Sequence, residues 1–211
     1  MVGLAGTPFV GARGTDSVQK VDAVHALALK AWGIDFVIRY LGAVTKSEVE
    51  GVLEAGLAFM PVTFGLRHGT PLNAALGATY GAGSVLQVKA LDLPPGVTVW
   101  LDLEDCTGNA DDVAAFVNAW CVPIKAAGFM PGLYVGAGAV LSGAQLYKLA
   151  VVRYWQSLSR EQDAKGLIAE PGCGWCMIQL FDSQTVAGVW VDIDVIQNDY
   201  SKRMPVWTIA A

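Results

Sequence analysis

Apolar and polar positions along the 211-residue chain fall into two alternating rhythms. Short runs rich in Val, Ile, Phe and Tyr give way to stretches in which apolar residues recur every three to four positions. That order of strand and helix builds a parallel sheet covered by helices. The first run, TPFVGARG (7–14), leads into Asp16, and the helical stretch 17–33 ends at Gly33, a residue suited to a left-handed helix cap. DFVIRYLG (35–42) reads as the second strand. A helix over 45–56 opens with Thr45 and Glu48 at capping-box spacing and stops at Gly56. LAFMPVTFG (57–65) is the third strand, a long helix follows from Pro71 to about Leu91, and GVTVWLDLED (96–105) is the fourth strand.

The second half repeats the scheme. Residues 111–128 are helical despite Pro123, MPGLYVG (130–136) is a strand, SGAQLYKLA (142–150) a short helix and VVRYWQSLS (151–159) a strand. GWCMIQLFDS (174–183) and GVWVDIDVIQ (188–197) close the chain with only a short polar connection between them. Eight strands in this alternation predict a compact α/β fold, a single (β/α)8 TIM-like barrel over residues 1–211 with some late helices shortened or missing. An open doubly wound sheet is the alternative.

Strand periodicity then sorts the side chains. In the fourth strand Val97, Val99, Leu101 and Leu103 share one face, and Thr98, Trp100, Asp102 and Glu104 share the other. The apolar face suits helix packing. The second points toward the barrel axis, with both acids at the C-terminal end of the strand, where barrels of this kind build active sites. The pattern recurs in VWVDIDVI, where Asp192 and Asp194 oppose Val191, Ile193 and Val195. Strands one and eight of a closed barrel are neighbours, so Asp16, Asp192 and Asp194 line the same rim as Asp102 and Glu104. Like charges and burial hold some of these carboxyls protonated, which supplies the acid and base states that glycoside hydrolysis needs. The plain alternative is that strand-end acids cap the following helices, as Asp111 and Asp112 are expected to do. Tyr40, Tyr134 and Trp155 fall near strand ends, and Arg39, Tyr134, Trp155 and Gln179 are read as inward-facing. Their rings and polar heads suit sugar faces, hydroxyls and acetamido groups, although core packing, and for Arg39 a salt bridge to a rim acid, are alternatives.

Composition narrows the partners. With 54% apolar and 16% charged residues the chain is globular and core-rich. A net charge of -5 without a Lys/Arg cluster argues against nucleic acid or an anionic membrane as the main partner. The uncharged stretch 126–147 is broken as a membrane helix by Pro131 and repeated glycines, and the N-terminal residues lack the pattern of a secretory signal, so synthesis in the cytoplasm is expected. Cysteines at 106, 121, 173 and 176, with His25 and His68 the only histidines, form no zinc spacing; buried thiols or one local disulfide are expected, and no metal or cofactor. Phosphate-loop spacing and a Ser/His/Asp arrangement are also absent.

The segments GTDSVQKVDAVHALALKAWGIDFVIRYLG, KSEVEGVLEAGLAFMPV, VWLDLED, GFMPGLYVG, RYWQS and VDIDVI, in that order over almost the whole chain, resemble the glycoside-hydrolase-like TIM-barrel family catalogued as domain-of-unknown-function family 1906. More distantly the chain is similar to the glycoside hydrolase family 25 lysozymes. That likeness implies a muramidase-type peptidoglycan hydrolase. Glu104 would be the general acid, Asp102 would stabilise the oxocarbenium-like or N-acetyl-assisted intermediate, and Asp16 and Asp192 would tune pKa values and hold substrate or water. Asp194 stands where the lysozymes commonly have Asn, and FVIRYLG and FMPVTFG follow the family of unknown function. The expected partner is a glycan polymer, peptidoglycan or a related N-acetylated glycan, met by a monomer that reaches the wall through a phage-type or other export route. A non-catalytic glycan-binding or structural barrel is the competing class, because fold alone does not give function.

Overall fold

A computed structural model describes residues 3–63, 69–158, 169–180 and 183–211. His68 and the ends of three sequence-read strands, at positions 64–65, 159 and 181–182, lie outside them. β1 (Gly3–Gly6) pairs antiparallel with β11 (Trp207–Ala210), which joins the barrel sheet where Thr208 pairs with Phe59. β2 (Arg13–Ser17), β3 (Phe36–Tyr40), β4 (Ala58–Thr63), β5 (Thr98–Leu103), β6 (Met130–Val135), β7 (Arg153–Ser157) and β8 (Met177–Gln179) pair in parallel in chain order. β10 (Val189–Ile196) pairs with both β8 and β2 and closes the barrel, and β9 (Gln184–Val186) forms a hairpin with it.

The closed barrel is as expected, but its last strand runs antiparallel to both neighbours. A parallel crossover needs a dozen or more residues, and only positions 180–188 separate β8 from β10. The chain therefore turns back over the rim and enters the barrel from above. Asp192 consequently meets Asp16 at the mouth, and Asp194 lies one step deeper, opposite Gly14 and Gln179. The first wall strand also differs from the reading. Phe9 and Val10 are exposed in a turn that ends at Gly11 (φ 88°), and pairing begins only at Arg13.

Five helices lie among the described residues: α1 (Ala23–Ala31), α2 (Lys46–Glu54), α3 (Ala74–Ala90), α4 (Ala110–Ala126) and α5 (Gly143–Tyr147). Each starts at a side-chain cap: Asp22, Thr45, Asn73, Asn109 and Ser142 accept from backbone N–H groups of the first turn. Asn109, not an aspartate, caps α4, and Asp111 and Asp112 sit in its first turn, where negative charge suits the helix dipole. Gly33 and Gly56 take left-handed φ just past α1 and α2, as their positions predict. α3 and α4 pack with their backbones close, because a Cβ on Gly77 would lie 2.1 Å from the Phe116 carbonyl oxygen.

Two apolar layers result. Val97, Val99, Leu101 and Leu103 join the outer layer beneath the helices, whereas Phe36, Ile38, Met60, Trp100, Trp155 and Trp207 fill the barrel. Glycine makes room for these rings: a Cβ on Gly14 would stand 2.1 Å from Phe36, and one on Gly132 would stand 2.4 Å from Trp100. The barrel interior is thus a packed aromatic floor, and anything that binds does so at its mouth.

Candidate active site

The mouth is built by the ends of β2, β3, β5, β6, β8 and β10. Asp16 and Asp192 face each other directly across the β2–β10 pair, and Asp102 sits beside Tyr134 in the β5–β6 pair. Asp16, Asp102 and Asp194 are almost wholly buried, and none has a cationic partner among the described residues. Glu104, one residue past β5, is exposed at the entrance.

Burial decides the electrostatics. It pushes the Asp16 carboxyl up to about 7, the facing Asp192 adds to the rise, and the Gln179 amide opposes it. Asp102 is raised well above the ordinary carboxylate range, first by burial, then by the neighbouring charges of Glu104 and Asp16, with the Tyr40 hydroxyl opposing at 3.4 Å. Asp194 is raised likewise by burial, Asp16 and Asp192. Among the described residues neither of its oxygens accepts a well-aligned hydrogen bond, although the Trp155 indole stands close enough to offset part of the rise. An Asp194 that keeps its proton can direct it toward Asp16.

Beneath the acids a hydrogen-bonded relay fixes geometry. The Tyr134 hydroxyl donates to Gln179 Oε1 at 2.8 Å and Ser157 Oγ donates to the same oxygen at 3.2 Å. Two donors on Oε1 leave Nε2 to face outward, and it donates to Asp16 Oδ2 at 2.8 Å. Trp155 packs edge-on against Tyr134 at 4.6 Å and Trp100 at 5.6 Å between ring centroids, so its ring has no face open to a ligand. Tyr134, Trp155 and Gln179 therefore stand under the acids as supports.

Arg39 corrects the sequence reading. Phe36 and Ile38 fill the barrel and Tyr40 packs against that core, which turns Arg39 outward, where its Nε donates to Glu48 Oε1 of α2 at 2.6 Å and its Nη1 to the Ser17 carbonyl. Both side chains of this ion pair are buried. It ties α2 to the ends of β2 and β3 and stands behind the rim, away from the mouth. Glu48 also accepts from the Val21 N–H at 2.9 Å, so the capping box at Thr45 is only half formed.

Three further residues shape the site without having been singled out in the sequence. Ser157 belongs to the Gln179 relay, and Ser183 Oγ donates to Asp192. Gly136 lies against Glu104: a Cβ there would stand 2.6 Å from Glu104 Cβ and 2.7 Å from Oε2. Past Glu104 the chain turns through Asp105 (φ 46°) and is pinned to the loop after β6 by Asp105 N–H to Ala137 O at 2.8 Å and Cys106 N–H to Gly138 O at 3.0 Å. A glycine closing a predicted strand was the available signal. The four cysteines are free thiols, and burial first, then Asp102, pushes Cys106 at this site up to about 12.

This set of groups can hold, share and move protons, and a small pocket of about 10 Å³ beside Asp102 and Glu104 is lined by Thr70, Cys106 and Thr107. Several solved structures share the architecture. An uncharacterized protein of B. stearothermophilus is 21% identical with a TM-score of 0.68, over 89% of this chain and 96% of that one. The modular autolysin LytC of Streptococcus pneumoniae, solved in complex with a synthetic peptidoglycan ligand, is 13% identical with a TM-score of 0.63. The match spans 96% of this chain and 47% of LytC. A family 25 glycosyl hydrolase from Bacillus anthracis is 10% identical with a TM-score of 0.58, over 91% of each chain. No curated protein sequence matches significantly. The profile of one family, described as the Rv2525c-like, glycoside hydrolase-like domain, matches residues 27–200, and the chain belongs to that family.

Proposed function

We propose that residues 1–211 act as one glycoside hydrolase domain of muramidase type that cleaves β-1,4 links between N-acetylated sugars of peptidoglycan. The observation that carries this reading is the pairing of exposed Glu104 with buried Asp102, whose proton affinity Glu104 itself raises. Two such carboxyls do not both ionise readily, so the pair retains a proton to higher pH than a lone carboxyl does. Buried Asp102 holds that proton at rest, and Glu104, at the entrance, takes it over and delivers it to the leaving oxygen. Asp102, then ionised, faces the positive charge that develops on the sugar ring or on its acetamido group. Asp16 and Asp192 on the opposite wall hold the substrate or the attacking water, with Asp16 held in place by Gln179. The fold shared with an autolysin solved with a peptidoglycan ligand supports the choice of polymer. Such an enzyme meets its substrate outside the membrane, by a phage-type or other export route.

The test is digestion of isolated peptidoglycan by the purified protein and by Glu104→Gln, with products analysed by mass spectrometry. New disaccharide reducing ends from the wild type alone support the reading. Their absence from both samples, with binding to the polymer intact, identifies a non-catalytic glycan-binding barrel.

A further inference from the structure

The β9–β10 hairpin carries the antiparallel strand above the rim. Val189 pairs with Val186, Trp190 with Thr185 and Val191 with Gln184, around a turn at Ala187 and Gly188 that both take left-handed φ (51° and 86°). Val186, Val189 and Val191 join the outer apolar layer. By alternation Trp190 shares the opposite face with Asp192 and Asp194. Asp192 pairs with Asp16, and continuing that antiparallel register two residues further along each strand brings Val18 opposite Trp190. Both are strongly exposed, Trp190 at 55% and Val18 at 64%.

Two exposed apolar side chains therefore lie two residues beyond the Asp16–Asp192 acid pair, on the same faces of their strands. Their backbone is fixed from the neighbouring strand: Ser17 Oγ donates to the Trp190 carbonyl at 2.6 Å, and the Trp190 N–H donates to Gln19 Oε1 at 2.8 Å. A half-exposed indole on the same strand face as Asp192 offers an apolar plane bordered by hydrogen-bonding groups. A pyranose is complementary to this, with C–H groups on its ring face and polar substituents around its edge. In barrel order β10 lies across the mouth from β5. A glycan strand crossing the mouth from Glu104 passes over Trp190.

We infer that Trp190, with Val18 beside it, forms a sugar subsite at which the indole stacks on an N-acetylated pyranose displaced from the cleaved linkage and Val18 receives its acetamido methyl. This rests on the glycan-hydrolase reading and adds to it the wall that holds the polymer. The experiment uses a soluble tetramer of β-1,4-linked N-acetylglucosamine, titrated calorimetrically into Glu104→Gln and into the double variants Glu104→Gln/Trp190→Ala and Glu104→Gln/Trp190→Tyr, all checked for equal melting temperature. The subsite predicts affinity weakened at least about tenfold by alanine and recovered to within about threefold by tyrosine, which keeps a stacking face. It also predicts a ligand-induced change in indole fluorescence that the alanine variant loses. Equal affinity in the alanine variant overturns the subsite, as does failure of the tetramer to bind Glu104→Gln. If the tetramer binds through Trp190 but the wild type never hydrolyses glycan, the subsite stands and the catalytic reading falls. If Trp190→Ala hydrolyses with unchanged KM, the reverse holds.

Discussion

Asp16→Asn should stabilise the protein at alkaline pH and leave it unchanged in acid. Burial and the facing Asp192 raise the Asp16 carboxyl from 3.8 to about 7. The folded state thus binds this proton more tightly than the unfolded chain does. The folded protein suffers no penalty below about pH 4, where both states are protonated. Stability falls as pH rises from about 4 to about 7, where only the unfolded chain ionises, and levels off above. At 1.36 kcal/mol per pH unit, the full penalty on the alkaline side is about 4 kcal/mol. Asparagine keeps the shape and an oxygen that accepts from Gln179 Nε2, and it removes the charge that faces Asp192 and Asp194. Adjustment of the neighbouring acids offsets part of the gain, so an increase of about 2–4 kcal/mol at pH 8 is expected, with less than about 1 kcal/mol at pH 4. Urea unfolding followed by tryptophan fluorescence at the two pH values measures this. A difference that is the same at both, or a variant less stable at pH 8, would refute the assignment of a buried, proton-holding Asp16.

Arg39→Ala should cost about 3–5 kcal/mol in denaturant unfolding, because it leaves Glu48 buried without its cation; a loss below about 1 kcal/mol would mean that the pair does not tie α2 to the rim. Gly136→Ala should lower kcat on peptidoglycan by about tenfold to a hundredfold with little change in KM, since the added methyl displaces Glu104 and not the glycan. Unchanged kcat would show that Glu104 is not held against Gly136 in the working enzyme. Gly77→Ala should destabilise by about 1–3 kcal/mol in thermal unfolding through a clash with the Phe116 carbonyl, without altering the mouth; a neutral result would place slack between α3 and α4.

The β5 segment was readable because its period is strict: Thr98, Trp100 and Asp102 alternate with Val99, Leu101 and Leu103, so the inward face was determined before any packing was known. The β3 segment was not. Phe36, Val37 and Ile38 are all apolar, as in a strand covered on both sides, and such a run has no phase of its own. The phase that turned Arg39 inward was therefore unsupported, whereas Glu48 on α2 offered a partner on the outer side. The Thr45–Glu48 spacing concealed that partner by suggesting a different role for it. The antiparallel entry of β10 was encoded in the shortness of 180–188, a chain-length constraint that strand patterns do not express. The supports under Asp16 come from β6, β7 and β8, and contacts between strands so far apart in sequence depend on barrel closure and register. Gly136 is a further case, since a glycine after a strand reads as a turn until the side chain lying on it is known.

The central claim, that Glu104 and its neighbours hydrolyse a glycosidic bond, is tested most directly by digesting peptidoglycan in water enriched in heavy oxygen and locating the label by tandem mass spectrometry. Hydrolysis predicts one heavy oxygen at the anomeric carbon of each new reducing-end sugar for the wild type and no new ends for Glu104→Gln. Products without the label, label confined to the peptide stems, or equal release by Glu104→Gln would contradict it.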